Sequence, residues 1–227
     1  ALINDAVSFA ALKRQYQRLS STPENAGTLL GISTKSRVMH TVLERAAFAA
    51  STSQPLLILG ETGVGKGVLA QAVHNADARS RGAFIRFQPS FGSSDLTASE
   101  LFGHKKGAFT GAISERKGLL EEANEGSLFI DEVGELSHET QVLLLHTLQE
   151  RVFRPVGGSR DIRSSFRLIA ATNRTLEELT ELKLLRADFF HRIAHVTITI
   201  PPLRERPEDI LDLAQQFLSA LCHREKL

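Results

Sequence analysis

The chain has 227 residues and a formal net charge of +1, from 27 Lys and Arg against 26 Asp and Glu, with 42% hydrophobic and 23% charged residues. This balance excludes disordered, collagen-like and coiled-coil chains, and it lacks the overall basic excess of a DNA-binding domain, leaving only a local basic patch open. The single cysteine, Cys222, cannot form an internal disulfide and points to a reducing compartment, and no apolar run is long enough to span a membrane.

Residues 1–20 read as a helix with an apolar stripe of Leu2, Ala6, Phe9 and Leu12, followed by a linker to residue 26. The start carries Asp5 and no basic lead into an apolar run, so no signal peptide is expected. A second helix is expected from Arg37, where Val38, Val42 and Ala46 recur at helical spacing, with Ser33 or Ser36 as its cap. Short apolar runs then alternate with helical patterns. Strands are expected at Leu56–Leu59, Phe84–Phe87, 128–130, 168–171 and 196–200. They are continuous rather than alternating, as parallel strands buried on both faces are. Helices fill 68–76, 136–151 and 176–185, so residues 27–200 are expected to form an α/β doubly wound parallel sheet. After Pro201-Pro202, a helix at 207–221 reads as the start of a smaller helical subdomain over 201–227.

The strand Leu56–Leu59 runs into Gly60-Glu61-Thr62-Gly63-Val64-Gly65-Lys66-Gly67, which in turn precedes a helix. Strand, glycine loop, lysine and helix are the setting of a phosphate-binding loop: backbone amides and the helix N-terminus face phosphate oxygens, and Lys66 supplies charge to the β- and γ-phosphates. Gly67 departs from the pattern, because a Ser or Thr hydroxyl for Mg²⁺ normally stands there. A second apolar strand ends in Asp131-Glu132, 65 residues beyond Lys66. At the carboxyl end of a sheet strand, Asp131 is placed to hold Mg²⁺ and Glu132 to activate water as general base. His191 and His195 lie i, i+4 apart without an acidic or Cys partner, which makes a metal site there an unpromising reading.

Three further segments carry a family resemblance. Gly107-Ala108-Phe109-Thr110-Gly111-Ala112 closely resembles the GAFTGA loop of bacterial enhancer-binding proteins, the AAA+ ATPases that activate sigma-54 RNA polymerase. Leu168-Ile169-Ala170-Ala171-Thr172-Asn173 resembles their sensor I strand, and the segment from Leu185 to Arg192 resembles the one carrying their arginine fingers, before Pro202-Leu203-Arg204-Glu205-Arg206. The resemblance implies an ATP-hydrolysing domain of a cytoplasmic transcriptional activator that self-associates into a hexameric ring. It implies ATP and Mg²⁺ as cofactors, and Asn173 as the residue orienting the attacking water. Arg186 and Arg192 would act on a neighbouring subunit's nucleotide. Residues 107–112 would contact the sigma-54 RNA polymerase holoenzyme, with Phe109 and Thr110 at an exposed loop tip and DNA bound through a separate domain. A hairpin around 154–163, with Gly157-Gly158 at its tip, is expected beside that loop. Gln88 stands where relatives have an asparagine that restrains the catalytic glutamate. Gly67 and Gln88 keep one alternative open, a nucleotide-gated assembly module with weakened hydrolysis; a second, a different AAA+ remodelling ATPase, is argued against by the GAFTGA segment.

Overall fold

The fold was obtained as a computed structural model, which describes residues 28–89, 94–109 and 111–225. The helix and linker expected over 1–26, and Thr110, lie outside the described residues. A two-residue antiparallel ladder of β1 (Thr28–Leu29) with β2 (Ile32–Ser33) leads into α1 (Arg37–Thr52). Then follow β3 (Leu56–Leu59), α2 (Lys66–Ala76), β4 (Phe84–Phe87) and α3 (Ser94–Phe102). A small ladder of β5 (Gly103–His104) with β6 (Arg116–Lys117) brackets residues 105–115 and is followed by α4 (Leu119–Glu122). Next come β7 (Ser127–Ile130), α5 (His138–Glu150), and the hairpin of β8 (Val152–Phe153) with β9 (Ile162–Arg163). The chain continues through β10 (Arg167–Thr172), α6 (Leu176–Glu181), α7 (Ala187–Ile193), β11 (Val196–Thr199) and α8 (Ile210–Glu225).

The expected doubly wound sheet is present. Five parallel strands stand in the order β11-β3-β10-β7-β4. Successive side chains on a strand point to opposite faces, so Leu57 and Leu59 enter one core with Leu128, Leu144 and Phe189, while Leu56 and Ile58 enter the other with Leu43, Leu69 and Val73. The second core is covered by α1 and α2, the first by α3 to α7. Covering both faces explains why β3 is apolar and buried along its whole length, and why β7 and β10 are apolar apart from polar end residues.

The helix expected at 176–185 is a correction. The structure ends α6 at Glu181, turns through Lys183 at φ 49°, and starts a new helix at Ala187. Gln141, fully buried on α5, donates to the Leu184 carbonyl and accepts from the Arg186 amide, at 2.9 and 2.8 Å. These bonds hold the intervening backbone out of a helix, a tertiary override of local periodicity. Helix α3 was not expected, because Leu101 and Phe102 are adjacent and give no helical stripe; they are 0% and 2% exposed in the first core. Ser36 is the N-cap residue of α1 by position, but its side chain makes no capping bond.

Arg167, at the start of β10, is the largest fully buried side chain among the described residues. Its guanidinium pairs with Asp77 at 2.5 Å and donates to the carbonyls of Ala49 and Gln54, tying the ends of α1 and α2 to the sheet. Removing one member of a buried pair leaves the other charge uncompensated. Arg167→Met is therefore expected to destabilise the fold by about 3–5 kcal/mol, read as a lower urea midpoint with an unchanged slope. A variant within ~0.5 kcal/mol of the parent, the usual range for a surface change, would refute the assignment.

Candidate functional site

Three neighbouring strands deliver the site. β3, β10 and β7 lie side by side, and their carboxyl ends carry Gly60, Asn173 and Asp131 respectively. At roughly 4.8 Å between strands, segments far apart in sequence converge within about 10 Å.

The phosphate loop turns through Gly63 and Gly65 at φ 85° and 104°, which a side chain would oppose, and α2 starts directly at Lys66. Helix α2 thus begins two residues before the expected Val68, so the lysine sits in its first turn. Lys66 is 7% exposed, and its Nζ donates to the carbonyls of Gly60 at 2.9 Å and Glu61 at 3.3 Å. Glu132 approaches the same amine at 3.5 Å. The Glu132 backbone lies in the left-handed region at φ 57°, a conformation that costs a non-glycine residue energy and clusters at functional sites. Its other oxygen accepts from the Asn173 amide at 2.9 Å, while the Asn173 side chain donates to Thr62 at 3.4 Å. Lys66, Glu132, Asn173 and Thr62 therefore form one connected cluster.

Asp131 differs from its neighbour. Its Oδ1 is buried and accepts no hydrogen bond from any described residue. An orphaned carboxylate oxygen is costly, and a cation supplied with the nucleotide would satisfy it. Gly67 contributes no hydroxyl. Where its β-carbon would stand, Arg86 Nη2 lies 3.2 Å away, and Arg86 donates to the Gly67 carbonyl at 3.1 Å. Gln88 follows β4 and is exposed.

Sequence reasoning noted the 202–206 segment but not what its arginines do. Arg204 donates twice to Glu61, at 2.8 and 2.5 Å, and these bonds hold the Glu61 carboxyl below its ordinary range. Arg206, 8% exposed, donates to the Val64 carbonyl at 2.8 Å. Asp209 accepts from Thr34 Oγ1 and from the amides of Lys35 and Ser36. Arg204 and Arg206 of the Pro-Leu-Arg-Glu-Arg segment thus both hold the phosphate loop. No local pattern signals this, since the partners are 143 and 142 residues away.

The two candidate fingers sit apart. Arg186 stands at the N-cap position of α7 without a side-chain capping bond and pairs with Asp188 at 2.9 Å, holding that carboxyl below its ordinary value through the hydrogen bond. Arg192 is near the end of α7 and donates to the Leu148 carbonyl at 2.8 Å. No hydrogen bond or ion pair joins either to residues 60–67 among the described residues.

The loop at 107–112 closes on itself, the Gly107 amide donating to Ala112 O at 2.8 Å and Ala112 N to Phe109 O at 3.0 Å. Phe109 corrects the expectation of an exposed tip: it is half-buried and packs edge-on against His104 at 5.1 Å. The aromatic surface of His104 gives a ring a place to fold back, which a Gly-bracketed sequence does not disclose. Ala112 is buried, and Gly107 and Gly111 are exposed. The 154–161 turn does lie beside this loop. Lys105 N and Val156 N bond across to Val156 O and Gly103 O at 3.0 and 2.9 Å. A β-carbon on Gly157 would stand 2.7 Å from that of Ala108, so only glycine permits this approach.

The family description "Sigma-54 interaction domain" matches residues 32–199. A Nif-specific regulatory protein of Herbaspirillum seropedicae is 46% identical over 206 residues, 91% of this chain and 38% of that protein. The regulatory protein AtoC of Escherichia coli K12 is 39% identical over 217 residues, 96% of this chain and 47% of its own length. The chain thus spans less than half of either relative. NtrX from Brucella abortus, solved in complex with ADP, superposes with a TM-score of 0.78 at 28% identity, covering 99% of this chain and 47% of that one. The same protein with ATP gives 0.78 at 28%, covering 98% and 46%.

Proposed function

Since the chain belongs to the sigma-54 interaction domain family of AAA+ P-loop domains, we propose that it is the ATP-hydrolysing unit of a cytoplasmic transcriptional activator that remodels sigma-54 RNA polymerase. The observation that carries this reading is the cluster at the carboxyl ends of β3, β10 and β7. Lys66 would bind the β- and γ-phosphates, and the orphaned Asp131 Oδ1 fits a hydrated Mg²⁺ bound mainly through water and phosphates. That ion would neutralise charge on the phosphate oxygens. Glu132 would take the proton of the attacking water, which Asn173 orients. Since Glu132 is held by Lys66 and the Asn173 amide, phosphate entry at Lys66 would free it for that work. ATP binding is supported by the ATP and ADP complexes of NtrX. The 27–200 unit would do the chemistry, with 201–227 beginning a lid.

A ring of copies, hexameric on the family resemblance, would place Arg186 and Arg192 against a neighbour's nucleotide, and DNA would be bound by a separate domain. Residues 107–112 would engage sigma-54 as the ring turns over. The half-buried Phe109 and its neighbour Thr110 make that engagement testable, because burying a Phe against a partner is worth about 1.5–3 kcal/mol. Phe109→Ala and Thr110→Ala are expected to leave ATP turnover largely intact and to abolish open-complex formation by sigma-54 polymerase. Normal activation by either variant would refute the contact. An ATPase loss as deep as that of Glu132→Gln would make the loop part of the catalytic machinery instead.

The restrained Glu132 and the missing hydroxyl at Gly67 favour one alternative, a nucleotide-gated assembly module with weak hydrolysis. Turnover measured against protein concentration separates the two: a steep rise supports the remodelling ATPase, and tight ADP and ATP binding without turnover supports the module.

A further inference from the structure

The far end of the sheet carries a recess of about 130 Å³, lined by Arg79, Arg151, Arg167 and Arg192 and by hydroxyls including Ser53 and Ser165. No Asp or Glu lines it among the described residues. It lies at the amino ends of β3 and β10, opposite the nucleotide loop.

About half of this charge is not balanced locally. Arg167 is matched by Asp77 and spends its other donors on the ends of α1 and β3. The helices α1 and α5 end at the recess, where Ser53 and Arg151 cap them, and each terminus brings about half a negative charge. Against one carboxylate and those termini, the four guanidiniums leave about two positive charges over. Arg192 gives one bond to the Leu148 carbonyl, and its buried Nε has no partner among the described residues. Arg79 has no side-chain partner among them either, and its charge is close enough to help lower the Arg167 pKa, an effect that burial leads.

Arg151 is held in a way that costs energy. It stands at φ 56°, where a glycine would be comfortable, and it donates to Ser165 Oγ at 2.6 Å. Non-glycine residues kept in this region concentrate at functional sites. Stability alone would favour glycine there, while an arginine adds a five-donor cation at the mouth of the recess.

We propose that this recess is a second anion site, separate from the nucleotide loop of the same subunit, that takes a phosphate group through Arg79, Arg151 and Arg192. The phosphate comes from solution or is the terminal phosphate of nucleotide held by a neighbouring copy. The second source rests on the reading of Arg192 as a residue acting between subunits; the site itself does not.

The test uses the 227-residue chain carrying Lys66→Ala, which removes the lysine from the nucleotide loop and weakens phosphate binding there. Inorganic phosphate is titrated against chloride at equal ionic strength, and the melting temperature is followed. Phosphate is expected to raise it beyond chloride. Adding Arg151→Gly or Arg79→Gln should weaken that response about tenfold or more, the equivalent of losing one charged hydrogen bond. Arg151→Gly relieves the backbone, so its own melting temperature should hold or rise while the phosphate response falls. A phosphate response no larger than that to chloride, or one unchanged in both variants, would overturn the site. Mixing Lys66→Ala with Arg151→Gly protein then identifies the source. ATPase activity above that of Arg151→Gly alone assigns the phosphate to a neighbour's nucleotide, and its absence assigns the bound phosphate to solution.

Discussion

Lys66→Ala is expected to abolish ATP binding, whereas Glu132→Gln keeps binding and loses hydrolysis. The lysine is a buried amine at the first turn of α2, held by two loop carbonyls and facing Glu132. Without it, the loop loses its one positive charge, and Glu132 loses its counterion. Glutamine at 132 retains the acceptor for the Asn173 amide and should preserve the loop geometry, but it cannot take a proton. Loss of a general base costs about 10²–10⁴ in rate. Fluorescent nucleotide titration together with phosphate release checks both halves. Equal ATP affinity in Lys66→Ala and the parent would remove the site assignment, and full turnover in Glu132→Gln would move the base elsewhere.

The second large effect is expected between subunits. Neither Arg186 nor Arg192 touches its own phosphate loop, and Arg186 is occupied by Asp188 in an exposed pair. Such pairs contribute little and exchange readily, so a neighbour's γ-phosphate can take the place of Asp188. Losing a finger of this kind costs about 10³–10⁵ in rate, or about 4–7 kcal/mol of barrier. On the proposed ring, Arg186→Ala and Lys66→Ala proteins should each be inactive alone and recover activity on mixing, because mixed rings would contain interfaces with an intact loop facing an intact arginine. Co-assembly without recovery would exclude Arg186 as a residue acting across the interface and leave Arg192 to be tested in the same way. Specific activity that does not rise with concentration would argue against shared catalysis altogether.

The parts legible in the sequence are those whose signal is local. Buried parallel strands show as continuous apolar runs, so Leu56–Leu59 and Phe84–Phe87 were expected with the bounds they have. The glycine loop with Lys66 shows because a backbone that wraps phosphate needs glycines at fixed spacing. Asp131 and Glu132 show because they break an apolar run at a strand end. The reading of residues 107–112 came from resemblance, since no periodicity there distinguishes a partner loop from a plain turn.

What tertiary structure alone decided depends on contacts between distant segments. The strand order β11-β3-β10-β7-β4 places Asn173 between the lysine loop and the acidic pair, and a chain order of strands does not fix their spatial order. The break between α6 and α7 comes from Gln141, some 43 residues earlier, and it sets Arg186 at a helix start and Arg192 near the end. Nothing local gives Arg204 and Arg206 a partner; only the folded sheet presents Glu61 and Val64 to them. Phe109 packs on His104 because the β5–β6 ladder folds the loop back over its own base. The four arginines of the recess, spread from 79 to 192, form a cluster only where α1 and α5 end and β3 and β10 begin. Sequence determines which segments bury apolar surface and which turns need glycine. Long-range packing determines which polar side chains meet, because a charge far along the chain finds its partner only when the cores have fixed the distance between them.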